Sequence, residues 1–281
     1  MKQINIDKAK CIKCNACVEV CPSFVFERAG GEVVVSDVND CISCGHCVAI
    51  CSEEAVSHSN FGKGKVHHVG EVNVDSKKLM NLIKLRRSNR TFTDKPIPQE
   101  SLDMIIEAAF RAPTASNLQG LKFLLIQNRE VLDKVIDATL GHFRGLLKLI
   151  DNPIVRPIAI RLSPSIGKYL KSFKRLIAER EKGNDEILRG GKALLIIYTD
   201  KSSRFGTEDA NLAYQNGSLM AESLGVAQVY TGFVCNVARS SNKINKILGI
   251  EGKIQAGMAL GMPKRKFSKY IDKRDINFKT L

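Results

Sequence analysis

The feature that most constrains this chain is a run of four closely spaced cysteines that occurs twice. Each run has the spacing C-x2-C-x2-C-x3-C, and the second begins 30 residues after the first. The cysteines of the two runs are Cys11, Cys14, Cys17, Cys21, Cys41, Cys44, Cys47 and Cys51. A short apolar segment precedes each run, Ile4–Ile6 in the first and Val33–Val35 in the second. The region is therefore an internal repeat that must fold as two related halves.

This spacing is typical of ligands to iron–sulfur cubanes. Two intervening residues let the chain curl so that three thiolates face three irons, and the fourth cysteine reaches the neighbouring cluster. We therefore predict two [4Fe–4S] clusters with crossed ligands. The first is assigned to Cys11, Cys14, Cys17 and Cys51, and the second to Cys41, Cys44, Cys47 and Cys21. We expect the fourth cysteine of each run to begin a helix, and the small residues Ala16 and Gly45 to let the backbone approach the sulfides.

Other interpretations of the cysteines fit less well. A disulfide framework needs an oxidising compartment, and zinc sites favour separated C-x2-C pairs. The histidines near the runs are expected to be surface side chains; they are His46, His58, His67 and His68. The ninth cysteine, Cys235, stands apart and is expected to be a small buried apolar residue rather than a redox-active thiol. Residues 1–60 resemble a bacterial-type ferredoxin with two clusters.

Charge is distributed unevenly along the chain. Residues 1–60 contain five basic and eight acidic residues, a net charge of −3, which leaves +17 for the rest of the total of +14. A basic body can attract an acidic head or anionic ligands. We expect no nucleic-acid partner, because no helix-turn-helix, zinc-finger or RNP pattern is present and only 6% of residues are aromatic. Residues 1–10 lack the apolar core of a signal peptide, and no apolar run could cross a bilayer, so we expect a cytoplasmic protein without a membrane partner.

After the cysteine repeat the pattern changes to helices with a few strands. Residues 61–75 are rich in Gly, Lys and His and are predicted to be a linker, or a loop with one short strand over residues 69–74. Apolar periodicity predicts helices that start at Ser76, which offers an N-cap, after Pro98, and over residues 209–224. Strands are predicted over residues 121–127 and 193–199. The predicted fold class is α+β, with one sheet flanked by helices.

Three segments of the second half resemble the nitroreductase family. Arg86–Phe92 is similar to the R-[RH]-S-x-[RK]-x-[FY] segment that opens its members, and Ala112–Gln119 to their A-P-[ST]-A-x-N-x-Q segment. Gly261–Arg265 is similar to their G-x-P-x-[KR] segment, and residues 209–225 resemble their central dimer helix. The nucleotide motifs G-x-G-x-x-G and G-x-x-x-x-G-K-[ST] are absent from the sequence.

The resemblance implies an FMN cofactor at the interface of a homodimer. Guanidinium groups of Arg86 and Arg90 suit the phosphate, with Ser88 adding a hydroxyl, and Lys264 or Arg265 could close this end of the site. The family places a backbone N–H at Gly232 near the flavin N5. The cofactor-binding residues assigned in this way are Arg86, Arg87, Ser88, Arg90, Pro113, Thr114, Ala115, Ser116, Asn117, Thr231, Gly232, Lys264 and Arg265.

These observations predict a ferredoxin domain over residues 1–60 and an FMN-binding domain over residues 76–281. The basic segment 142–190 is expected to be a lid, in which Tyr169 and Phe173 either sandwich a substrate or pack within helices. The predicted enzyme passes electrons from its clusters to FMN and reduces a small planar substrate such as a nitroaromatic or a quinone. Its external electron donor is a ferredoxin-like protein or NAD(P)H, and no catalytic side chain is assigned. The alternatives are an NAD(P)H-dependent reductase and a redox carrier or sensor.

Overall fold

The computed structural model of this chain describes residues 2–150, 152, 161 and 165–280. It divides into two compact units. The first contains Met1–Val74 together with the loop Ala115–Gln119, and the second contains Asp75–Thr114 and Gly120–Leu281. The boundary near residue 75 lies at the end of the linker predicted from composition.

The first unit is built from two antiparallel strand pairs and two one-turn helices. Its elements are β1 (Ile4–Ile6), α1 (Ala16–Glu19), β2 (Phe26–Ala29), β3 (Glu32–Val35), α2 (His46–Ile50) and β4 (Val56–His58). Strand β1 pairs with β4, and β2 pairs with β3, both antiparallel. The pairing of the first strand with the last closes the two halves of the repeat around a small core that includes Val25, Phe26, Val33 and Val56.

The cysteine runs have the same local geometry in both halves. Asn15 and Gly45 occupy equivalent positions ahead of α1 and α2, with left-handed φ angles of 66° and 77°. Asparagine and glycine tolerate this conformation best. The fourth cysteine of each run follows its short helix, since Cys21 comes after α1 and Cys51 is the C-cap of α2. The expectation that it would begin a helix was therefore wrong.

The second unit contains one four-stranded antiparallel sheet between two layers of helices. Its elements are α3 (Ser76–Leu85), α4 (Gln99–Phe110), β5 (Lys122–Ile126), α5 (Arg129–Ile150), α6 (Ser165–Glu181), β6 (Ala193–Thr199), α7 (Gly206–Ser223), β7 (Ala227–Tyr230), α8 (Gly232–Ser240), α9 (Lys243–Leu248) and β8 (Lys253–Gly261). The strand order is β5-β6-β8-β7. This arrangement confirms the α+β fold class.

Strand β6 shows how the sheet divides the core. Its side chains alternate between the faces of the sheet, as they must in a strand. Leu194 and Ile196 pack with a cluster from α5, α8 and α9, whereas Leu195 and Ile197 pack with a cluster from α4 and α7. All four side chains are fully buried. The continuous apolar run that predicted this strand is thus explained by helices on both faces.

The N-caps of α3 and α4 can be compared with the residues that the sequence predicted at the starts of these helices. The side chain of Asp75, not of Ser76, caps α3 by accepting hydrogen bonds from the backbone N–H groups of Lys77 and Lys78 at 2.7 and 3.2 Å. Pro98 is the N-cap of α4, as its position suggested. No strand forms over residues 69–74, so the short strand predicted there was wrong, and these residues form the irregular linker of the alternative interpretation.

A network of ion pairs between side chains joins α5 to α6. The carboxylate of Asp133 accepts from Arg129 at 2.6 and 2.8 Å and from Arg180 at 2.9 Å. These bonds, that of Arg129 foremost, lower the pKa of Asp133 below its usual value. Asp137, which is more exposed, accepts from Arg180 at 3.0 Å.

No helix among the described residues is long and apolar enough to span a bilayer.

Candidate redox centre

The first unit encloses two cavities lined by cysteines. The cluster I site is a cavity whose cysteine lining is Cys11, Cys14, Cys17 and Cys51. The cluster II site is a cavity whose cysteine lining is Cys41, Cys44, Cys47 and Cys21. The structure thus brings together three cysteines of one run with the fourth cysteine of the other, which is the grouping that the crossed assignment requires.

The donors that line these cavities suit a cubane. No three His, Cys, Asp or Glu side chains in the described part of the chain converge on a point that would hold a single metal ion; the four sulfurs of each site instead line the wall of a cavity. Backbone N–H groups point at some of them. Ala55 donates to the Cys51 sulfur at 3.2 Å, and Val25 donates to the Cys21 sulfur at 3.3 Å. Donors of this kind offset the negative charge of thiolate-bound clusters.

Burial disfavours the thiolate form of the third cysteine of each run, Cys17 and Cys47. It raises the pKa of Cys47 to about 11 and also raises the pKa of Cys17. Cluster assembly must therefore release protons from these thiols, because only thiolates bind iron.

His58 was expected on the surface, and the structure places it at the cluster II site. Its side chain is only 4% exposed, and its Nε2 lies 3.5 Å from the Cys41 sulfur. The cause is the alternation of β4, in which Ser57 is exposed while Val56 and His58 face inward. Burial, with a contribution from the charge of Lys2, lowers the pKa of His58. The two-residue period of a strand is the sequence signal for this burial, but a strand of three residues is too short to show it as a pattern.

The remaining histidines of this region agree with expectation. His46, His67 and His68 are exposed.

The loop Ala115–Gln119 packs with the cluster-binding unit although it lies in sequence between α4 and β5. The Nδ2 of Asn117 donates to the carbonyl oxygens of Ser43 at 2.8 Å and Ile42 at 3.2 Å. These two residues stand between ligand positions 41 and 44 of the cluster II site. The Oδ1 of Asn117 accepts from Gln119 at 3.1 Å, so both ends of the amide are occupied within this unit. The role of Pro113, Thr114, Ala115, Ser116 and Asn117 at a flavin stays a prediction.

In the second unit, the first and last family-like segments lie side by side. Phe92 and Pro263 form a β-bridge, and the Lys264 N–H donates to the Thr91 carbonyl at 2.9 Å. The buried Asn89 side chain donates to the Arg265 carbonyl at 2.9 Å. The segment 86–90 and the residues Lys264 and Arg265 therefore share one region. Asn89 was not predicted from the sequence to have a role. Its amide side chain within the arginine-rich segment 86–90 was the only indication.

This region is cationic. Within the described ranges, no ion pair joins a carboxylate to Arg86, Arg90, Lys264 or Arg265, although Glu222 interacts electrostatically with Arg86 and Asp94 with Lys264. Arg87 differs, since it donates to the Lys269 carbonyl at 2.8 Å and lies over the Phe267 ring at 4.4 Å. Guanidinium and ammonium groups that make no direct ion pair are the donors that a phosphate dianion requires. The residues present thus fit the phosphate end of FMN.

The start of α8 contains the other predicted flavin contacts. Thr231 is buried and its N–H donates to the Gly257 carbonyl at 2.9 Å, while Gly232 opens the helix and is exposed. A Cβ on Gly257 would stand 2.4 Å from the Thr231 hydroxyl, so only glycine allows this approach. The first turns of α8 also contribute to an open cavity of about 610 Å³ lined by Ile150, Tyr169, Leu170, Phe173, Phe233 and Asn236.

The predicted lid is partly core. Residues 142–150 continue α5, and Phe143 is buried with its ring stacked on Phe173 at 4.1 Å between centroids. This stacking favours packing over a substrate sandwich for Phe173, whereas Tyr169 is 54% exposed. The middle of the predicted lid, at residues 151, 153–160 and 162–164, lies outside the described residues. Cys235 is buried at 1% exposure, and burial raises its pKa to about 11, in agreement with an unreactive thiol.

Comparison with known proteins agrees with both units. Residues 83–262 match the nitroreductase family model, and residues 3–52 match the model of the 4Fe-4S dicluster domain. A similar curated protein is an FMN reductase (NAD(P)H) of Bacillus subtilis, 30% identical over 53% of this chain and 51% of that protein. Another is an NADPH-dependent oxidoreductase of Staphylococcus epidermidis, 28% identical over 65% of this chain and 63% of that protein.

Solved structures show the fold of the second unit. A nitroreductase of Desulfitobacterium hafniense with bound FMN has a TM-score of 0.56 at 20% identity, over 72% of this chain and 97% of that one. A nitroreductase of Bacteroides fragilis with bound FMN has a TM-score of 0.54 at 21% identity, over 73% of this chain and 99% of that one. With the family model matching more than half of its residues, the chain belongs to the nitroreductase family of FMN-dependent oxidoreductases, and a 4Fe–4S dicluster domain precedes that region.

Proposed function

We propose that this protein takes electrons from an external donor onto two [4Fe–4S] clusters and delivers them to FMN for the reduction of a small planar molecule. Cys11, Cys14, Cys17 and Cys51 would hold the first cluster, and Cys41, Cys44, Cys47 and Cys21 the second. FMN, when bound, would supply the conversion of single-electron delivery into two-electron reduction.

The observation that carries this proposal is the loop Ala115–Gln119. The chain enters this loop from Thr114 and leaves it at Gly120, both residues of the reductase unit, and Asn117 within the loop contacts the cluster II site. The chain therefore passes between the two units near residues 75, 114 and 120. This connectivity supports electron delivery within one polypeptide rather than two unrelated activities.

The second unit supplies orientation and charge. Arg86 and Arg90 would hold the phosphate from one side and Lys264 and Arg265 from the other, since the Asn89 side chain and the Thr91 carbonyl bind the backbone of the last segment. Gly232 begins α8, and the first N–H groups of a helix have no partner within the helix and suit an electron-rich ring edge. The open cavity beside α8, lined by Tyr169 and Phe233, suits a flat aromatic substrate.

A homodimer is part of the proposal. Helices α3, α4 and α7 expose large apolar side chains, among them Met80, Ile83, Phe110 and Leu212, each more than two-fifths exposed. Apolar groups on three helices of one unit support burial against a second copy of the chain. Full FMN occupancy in a verified monomer would contradict a shared site.

The test is rapid-mixing reduction of bound FMN in the full chain by a reduced low-potential ferredoxin. Replacing one ligand of cluster II, Cys44→Ala, should slow flavin bleaching by this protein donor, while dithionite, a small reductant that reaches the flavin directly, should bleach wild type and variant alike. Iron and FMN content would be measured on the same samples. If the ferredoxin reduces FMN equally fast in Cys44→Ala, the clusters do not serve the flavin.

A second candidate donor is NAD(P)H, favoured by the names of the Bacillus and Staphylococcus relatives. The chain lacks the G-x-G-x-x-G pattern of a separate dinucleotide domain, so NAD(P)H would have to stack on the flavin itself. Steady-state assays with each donor distinguish the two: NAD(P)H-driven turnover that survives Cys44→Ala would make the clusters an exit or store for electrons.

A further inference from the structure

His58 is a residue that the proposed function does not use, and the structure places it against a cluster ligand. Its ring is held from two sides. The backbone N–H of Asn60 donates to Nδ1 at 3.0 Å, and the ring of Phe61 packs on it at 4.9 Å between centroids. The pairing of His58 with Ile4 across β1 and β4 fixes the backbone beneath it.

The Asn60 contact determines the tautomer. A backbone N–H can only donate, so Nδ1 must accept, and the proton of the neutral imidazole then lies on Nε2. Nε2 is 3.5 Å from the Cys41 sulfur. The geometry therefore makes His58 a hydrogen-bond donor to a thiolate of the cluster II site.

The two cluster sites are unequal in such donors. Backbone N–H groups donate to cysteine sulfurs at both sites, Ala55 and Val18 at the cluster I site and Val25, Ser43 and Val48 at the cluster II site. Among the described residues, a side chain adds a donor only at the cluster II site, where it is the ring of His58. The repeat-equivalent of His58 is Arg28 in β2, which is exposed.

Hydrogen bonds to cluster sulfurs stabilise the more negative, reduced form and so raise the reduction potential. We infer that His58 raises the potential of cluster II above that of cluster I and thereby makes cluster II the site from which electrons leave. The transfer that it biases moves one electron: cluster I is oxidised by one electron, cluster II is reduced by one, and no bond is made or broken. This inference rests on the proposed function for its direction of flow.

The contacts of Asn117 agree with this direction. Its amide binds the carbonyls of Ile42 and Ser43, in the backbone segment that contains ligand positions 41 and 44. The site with the higher potential is thus also the site joined to the loop that continues into the reductase unit.

The test is an anaerobic redox titration of the full chain followed by EPR, with iron content measured beside it. Cys44→Ser, which exchanges a ligand of cluster II, identifies the signal of that cluster. His58→Phe, which keeps a buried ring but removes the donor, should shift the equilibrium between the clusters toward cluster I by about tenfold, equal to about 59 mV for one electron. His58→Gln, which can donate from a similar position, should restore most of the difference.

Arg28→Leu is the matched control and should leave cluster II unchanged. An unaltered cluster II potential in His58→Phe, or an equal shift of both clusters, would overturn the inference. If His58→Phe loses iron, the test uses wild type and His58→Gln instead. A cluster II potential in His58→Gln as low as that of cluster I would contradict the donor role of His58. These are equilibrium potentials, so they stand whatever the rate of FMN reduction, and a failed proposed function would show only in the flavin kinetics.

Discussion

The loop contact of Asn117 gives the sharpest prediction about electron delivery. Asn117 has a left-handed φ of 53°, which glycine adopts without strain. Asn117→Gly therefore keeps the loop backbone possible while it removes the side chain. Ser116, with φ 50° and an exposed side chain, is the matched control, because Ser116→Gly makes the same change in backbone freedom without loss of a contact to the cluster II site.

The magnitude follows from two hydrogen bonds. Asn117 donates at 2.8 Å to Ser43 and at 3.2 Å to Ile42. Each such bond contributes about 0.5–1.5 kcal/mol net, so the pair holds the loop by about 1–3 kcal/mol. Since about 1.4 kcal/mol is tenfold in an equilibrium constant, the docked fraction of the loop should fall by roughly 5- to 150-fold relative to the undocked one.

The assay is stopped-flow bleaching of FMN after mixing with reduced ferredoxin. If the docked loop is the route, the rate of FMN bleaching in Asn117→Gly falls by at least about fivefold, the lower end of this range, while Ser116→Gly and dithionite reduction stay near wild type. Asn117→Asp, which turns the donor into an acceptor facing two carbonyls, should be slower still. Equal rates for Asn117→Gly and wild type, or equal slowing by Ser116→Gly, would refute the reasoning.

Three further predictions concern the second unit. Arg90→Ala should weaken FMN by about 1.5–3 kcal/mol, measured by fluorescence titration of the apoprotein, because a charge-assisted bond to phosphate is lost; unchanged affinity would remove Arg90 from the site. Asp133→Asn should lower Tm at pH 7, and since the folded pKa of Asp133 is depressed, its contribution is lost as pH falls below about 3.9. Asp137→Asn, at a more exposed position, should lower Tm at pH 7 by less than Asp133→Asn does. Gly252→Ala would put a Cβ 2.0 Å from a β6 carbonyl and should destabilise by about 2 kcal/mol or more, whereas Gly120→Ala, which meets nothing within 4 Å, should not.

Sequence reasoning succeeded where a local signal has one physical solution. Two identical cysteine runs have few solutions other than a cluster-binding repeat, and the structure lines two cavities with them. An apolar run such as residues 193–199 must be a buried strand, and β6 has those bounds. Boundaries that depend on competition between neighbours were harder, as at α3, where Asp75 rather than Ser76 caps the helix.

The candidate flavin site was predictable only in part. The cationic residues at both ends of the second unit were found from their resemblance to family segments, since charge type is visible in sequence. What joins them is a side-chain bond from Asn89 to the backbone at Arg265, across 176 positions. Such a contact has no local pattern, because any amide could make it and only the tertiary fold chooses the partner.

The sequence repeat does not show the structural difference between its two halves. Aligning the two runs equates His58 with Arg28 and invites one interpretation for both. His58 is buried because β4 pairs with β1, the strand that closes the unit. Arg28 is exposed because β2 pairs with β3 in a hairpin whose end is exposed. A duplicated sequence thus specifies two similar clusters, whereas strand pairing, which joins residues 54 positions apart at Ile4 and His58, makes their surroundings unequal. A difference in potential biases the equilibrium of an electron between two clusters, so the inferred direction of flow depends on this departure from symmetry.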